Sequence, residues 1–134
     1  MARRSARPTT VVTGTSYNSY KAFVLSSGKQ IDCIGNAENL LDYATVQSGQ
    51  HPQMADFCYI GMFAGCTSLT SAPNLPAPTL TLRCYRQMFQ DCASLASAPT
   101  LPATTLEQYC YQSMFQGCTS LTSAPVLLVT TLPA

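Results

Sequence analysis

One stretch of this chain is written three times. Cys58, Cys84 and Cys110 are spaced by 26 residues, and the same interval separates Cys66, Cys92 and Cys118, Leu69, Leu95 and Leu121, and Pro73, Pro99 and Pro125. Thirteen residues of the first copy recur unchanged in both others: Cys58, Tyr59, Met62, Phe63, Cys66, Ser68, Leu69, Ser71, Ala72, Pro73, Leu75, Thr79 and Leu80. A fixed period of about 20 to 50 residues marks a stacked array, because so small a unit cannot bury its own apolar face and must do so against its neighbours. The expected architecture is an α/β repeat, a short solenoid whose units, 58–83, 84–109 and 110–134, share one core.

Each unit divides into two halves by its periodicity. Leu80, Cys84, Met88 and Cys92 lie four apart, with Tyr85 and Phe89 in a second row beside them. That apolar face, about 100° wide, predicts a helix of roughly twelve residues. Thr104 with Glu107 and Thr105 with Gln108 read as capping-box starts, and Gly65, Asp91 and Gly117 stand where the helix should end. The other half, SLTSAPNLP and its copies, is proline-rich, so ladder pairing is expected only around Leu69 to Ala72. The expected unit is a short strand, an extended connection and a helix crossing back over the outside.

The flanks differ in kind. Residues 1–8 carry Arg3, Arg4 and Arg7 with nothing to bury, and read as a basic disordered arm or as an arm docking on an acidic partner or phosphates. Residues 9–34 alternate in short β-branched runs, TTVVT, YKAFVL and KQIDCI, around a Ser-Ser-Gly turn; they read as a β-hairpin cap over the first layer. Residues 35–57 form an atypical junction rung, in which Asn36 or Asn39 starts a short helix and Met54 falls at the place of Leu80 and Leu106.

The words MFAGCTSLTSAPNLPAPTL, MFQDCASLASAPTLPATTL and MFQGCTSLTSAPVLLVTTL resemble the BspA-like leucine-rich repeats. Met62-Phe63, Met88-Phe89 and Met114-Phe115 occupy that family's Ala-Phe place, and Cys66, Cys92 and Cys118 its Cys place. The resemblance covers about 32–134. It implies a curved leucine-rich repeat solenoid, extracellular or at a cell surface, with adhesion and protein binding as its work; related arrays are also borne by phages, so a virion is a further expected location. This sequence departs from the pattern in showing no signal peptide and in having three copies where the family usually has many.

Little in the chain points to other chemistry. Seven basic against six acidic side chains give no electrostatic case for nucleic acid or an anionic membrane, and no apolar run is long enough to span a bilayer. The six acids do not recur in phase, His51 reads as a solvated loop histidine, and no phosphate loop or nucleophile elbow is present, so no enzyme, cofactor or metal is expected. The cysteines are expected to pack as reduced thiols. Eight helical residues separate the pair within a unit by about 12 Å, beyond the ~7 Å a disulfide spans, although bridges between units stay open.

What remains is surface. Ser68, Ser94 and Ser120 with Thr70 and Thr122 are expected to line up as hydroxyl ranks, and Asn74, Thr100, Arg83, Arg86 and Tyr109 vary from copy to copy as outward residues would. Together they form the candidate binding surface for a protein or glycan. Val126, Leu127, Leu128 and Val129 make an apolar run in the last unit and are the candidate subunit contact of a homo-oligomer or filament. The leading expectation is a non-enzymatic binding or adhesion module; the alternative is a self-assembling structural subunit of a virion or filament.

Overall fold

Backbone hydrogen bonds join successive layers along three sides, the first of them only as far as the second copy, with the chain running in the same direction in every layer. The computed structural model describes residues 30–133; the basic arm and most of the hairpin cap lie outside them. On the first side β1 (Ile31–Asp32) pairs in parallel with β2 (Leu69–Ser71), and the Ala96 N–H donates to the Thr70 carbonyl at 3.3 Å. On the second, β3 (Thr79–Leu80) pairs in parallel with β4 (Thr105–Leu106), and single parallel bridges join Asn36 to Asn74, Leu101 to Leu127 and Thr105 to Thr131. The strands are short because Pro73, Pro99 and Pro125, with Pro76, Pro102 and Pro78, remove ladder donors.

The junction belongs to the same stack. Ile31 lies opposite Leu69 and Asn36 opposite Asn74, so KQIDCI contributes a strand to the first layer rather than only to a cap. That offset of 38 exceeds the 26 between Thr79 and Thr105 by twelve residues. The insertion accommodates a 3-10 turn, Ala37–Leu40, capped by the Asn36 side chain, and α1 (Tyr43–Gln47), capped by Asp42 accepting from the Thr45 N–H at 3.1 Å. Asn36 had been legible as a helix start; the second start at Asp42 had not.

The third side corrects the expected helices. Residues 57–66, 83–92 and 109–118 are ribbons of successive turns. Every second N–H closes onto the carbonyl three residues back, as Met62 does to Tyr59 and Met88 to Tyr85, while most of the others reach the next layer, as Phe63 does to Met88 at 2.8 Å and Phe89 to Met114 at 3.0 Å. Four equivalent places per ribbon have positive φ: Phe57, Arg83 and Tyr109; Tyr59, Tyr85 and Tyr111; Gly61, Gln87 and Ser113; Gly65, Asp91 and Gly117. For a residue with a side chain each such φ costs about 1–2 kcal/mol. An interlayer hydrogen bond, worth about 0.5–1.5 kcal/mol net, and a buried ring or thioether, about 1.5–3 kcal/mol, offset it. Side chains of Cys84, Tyr85, Met88, Phe89 and Cys92 turn inward. This four-residue repeat drifts from a helical 3.6 by less than about one residue over two turns, which is why the pattern mimicked a helix.

Ribbons stack more closely than helices can. Phe63 and Phe89 lie 5.4 Å apart at 7°, Phe89 and Phe115 5.8 Å at 7°, and the tyrosine column steps by 5.7 and 6.0 Å. Packed helices need about 8–10 Å, whereas strands sit about 4.8 Å apart. The helix row that would splay such a stack into a curve is therefore absent from the described residues. The core runs through all layers, and the middle layer is sealed on both sides.

Two substitutions read this packing. Phe89→Ala should lower the unfolding free energy by about 3–5 kcal/mol, and Phe115→Ala, only half-buried, by clearly less; equal losses in urea titrations would contradict the stacking. The Tyr59 hydroxyl donates to the Ala37 carbonyl at 2.6 Å, while that of Tyr85 is buried without a partner. Tyr85→Phe should therefore be neutral or stabilising and Tyr59→Phe should cost about 1 kcal/mol.

Candidate binding surface

The ten candidate surface residues do not form one patch. On the strand edge, Ser68, Thr70 and Ser94 are half-buried while Asn74, Thr100, Ser120 and Thr122 are exposed. Thr70 is already engaged: its hydroxyl donates to the Asp32 carboxylate and to the Ile31 carbonyl at 3.2 Å, and Ser71 donates to Asp32 at 3.1 Å. Asp32 thus ties the junction layer to the first unit. Ala96 interrupts the Thr70 and Thr122 rank at its centre.

Arg83, Arg86 and Tyr109 sit on the ribbon instead. The Arg83 guanidinium lies 5.5 Å from the Phe57 ring centroid and 5.1 Å from that of Tyr109, an aromatic–cation–aromatic column at equivalent positions of three layers. Its planar face is used in packing, and Tyr109 leaves half its surface exposed. Arg86 is half-buried between the layers of Ile60 and Gln112.

At the far end the packing opens. Val126, Leu127 and Leu128 are 73, 55 and 54% exposed, and Leu132 70%, whereas Leu75 and Leu101, in the column of Leu127, are 2% exposed. Val129 departs from the expected run by packing against the core. Arg3, Arg4 and Arg7 lie outside the described residues.

The thiols have a role that spacing did not suggest. Cys84, Cys92, Cys110 and Cys118 each point an S–H at the carbonyl 29 positions earlier, those of Ala55, Phe63, Thr81 and Phe89, at 3.0–3.5 Å. Cysteine is thus a small apolar packer that also satisfies a carbonyl of the preceding layer. All seven are free, and the helical geometry used to argue against bridges within a unit is replaced by the ribbon. Burial pushes Cys58 and Cys92 from 9.0 up to about 12 and Cys33 and Cys110 to about 11, and raises Cys84 and Cys118. Among the described residues no group of three His, Cys, Asp or Glu side chains converges as metal ligands would, and no helix is long and apolar enough to cross a membrane.

His51 lies exposed in a loop, as its sequence context suggested, but it is also paired. Its Nδ1 lies 3.1 and 2.9 Å from the carboxylate oxygens of Glu38, which is wholly buried while the imidazole remains 46% exposed. No local signal announces this pair, because its members are thirteen positions apart with a helix between them. It anchors the loop after α1 to the 3-10 turn that receives the Tyr59 hydroxyl. Comparison with protein-family models, curated proteins and solved structures returns no match.

The raised thiols set a pH dependence. Unfolding returns them to about 9, so between about pH 9 and 12 the unfolded chain binds fewer protons and stability falls as pH rises. Urea midpoints should be flat between about pH 7 and 8 and decline above about 9; a flat profile to about pH 10.5 would mean the thiols are not buried.

Proposed function

We propose that the chain is a short BspA-like leucine-rich repeat solenoid acting as a non-enzymatic binding module, presenting a polar strand edge to a protein or glycan at a cell surface. The supporting observation is the combination of a backbone locked by interlayer hydrogen bonds with exposed positions that differ between copies, Asn74 and Thr100 above all. Such a surface accepts a partner with little ordering cost. On this reading, Asn74→Arg with Thr100→Arg abolishes retention on arrays of defined glycans and purified surface proteins while leaving the thermal midpoint within about 2 °C. Retention that persists in the double variant, or no retention by the parent chain, removes it.

A second reading is favoured by the exposed apolar end: a structural subunit of a virion or filament that uses Val126, Leu127 and Leu128 as a contact. Light scattering at rising concentration tests it. Association abolished by Leu127→Asp supports the contact, and a monomer at every concentration removes it.

A further inference from the structure

The two edges of the turn ribbon are chemically unlike. Phe57, Gly61, Phe63 and Gly65 donate forward to the carbonyls of Leu82, Arg86, Met88 and Gln90, and Arg83, Gln87, Phe89 and Asp91 donate forward to those of Gln108, Gln112, Met114 and Gln116. The reverse sense is taken by Tyr85 and Tyr111, whose N–H groups point back to Cys58 and Cys84. In the last ribbon the forward places are held by Tyr109, Ser113, Phe115 and Gly117, whose N–H groups meet no backbone acceptor among the described residues. Leu127 and Leu132, in the same last layer, are 55 and 70% exposed.

An edge made mostly of donors is not covered by a copy of itself. Two such faces related by a two-fold axis set N–H against N–H along the ribbon. What fits is a row of carbonyls, and every ribbon of this chain has one on its leading edge. A whole second copy offers only part of it, because Ile60 and Met62, which carry the two middle carbonyls of that row in the first ribbon, are 0 and 3% exposed, although Asp56 at its start is open. We infer that the C-terminal face takes a chain segment of the same 26-residue type with an open leading edge, entering parallel, its carbonyls on the four donors and its rings on Tyr111 and Phe115. This rests on the second reading in treating the face as a contact, and it names what that contact accepts.

A synthetic peptide with the sequence of residues 84–109, titrated into the full chain beside a shuffled peptide of the same composition, tests it. Saturable one-to-one binding is expected for the ordered peptide alone. Amide exchange at Ser113, Phe115 and Gly117 should slow by about tenfold or more, with Gln87 and Phe89 unchanged. Leu127→Asp with Leu132→Asp, at exposed positions that leave the fold intact, should abolish the binding. Equal binding of the shuffled peptide overturns the inference. So does a chain that ignores the peptide yet self-associates with the same amides protected, an outcome that leaves the second reading standing. If the peptide is ignored and those amides exchange freely at the highest concentration, both fall.

Discussion

The distance between layers is the constraint to which everything else answers. Parallel pairing on the strand sides holds equivalent backbones at about 4.8 Å, so whatever closes the third side must repeat at nearly that interval. A helix cannot, because its backbone donors are spent internally and its girth keeps neighbours apart. The turn ribbon spends half of its donors on its own turns and directs most of the rest across the gap. Rings 5.4–6.0 Å apart follow directly, and with them a core in which each kind of side chain meets its own kind in the layer above.

That bargain explains which residues are tolerated where. Glycine occupies Gly61, Gly65 and Gly117, where positive φ is free of steric penalty, and Asp91, of a type that visits this region readily, replaces it once. A Cβ on Gly117 would lie 3.2 Å from the Asp91 Cα, so the third ribbon approaches the second too closely there for a larger residue. Tyrosine at 59, 85 and 111 has no such freedom and is held at φ near 60° by its surroundings. The ribbon is thus a tertiary product, imposed by stacking on residues that would not choose it singly.

The period, the shared core and the short strand at Leu69–Ser71 were legible in the sequence because each depends on side-chain pattern alone; the strands at Thr79–Leu80 and Thr105–Leu106 were not, since they fall where a helix was expected to start and form only by pairing with each other. The ribbon was not, since a repeat of four and a helical repeat nearly coincide over Cys84, Met88 and Cys92. The candidate surface was legible only in part: outward residues such as Asn74 and Thr100 could be picked by their variation, but the capture of Thr70 by Asp32 spans 38 positions and depends on the junction register. The thiol-to-carbonyl bonds and the Glu38–His51 pair share that character, with nothing nearby in the chain to disclose them.

Strand dipoles in an ordinary sheet largely cancel. Here the peptide units ending at Phe57, Gly61, Phe63 and Gly65 all align along the stacking axis, opposed in that layer pair by the unit between Cys58 and Tyr59, and each carries about 3.5 D. The net moment is directed along the pile and lengthens with every layer added. Its positive pole lies at the Gly117 end, so the stack has an electrical head and tail although its side chains sum to a net charge of +1.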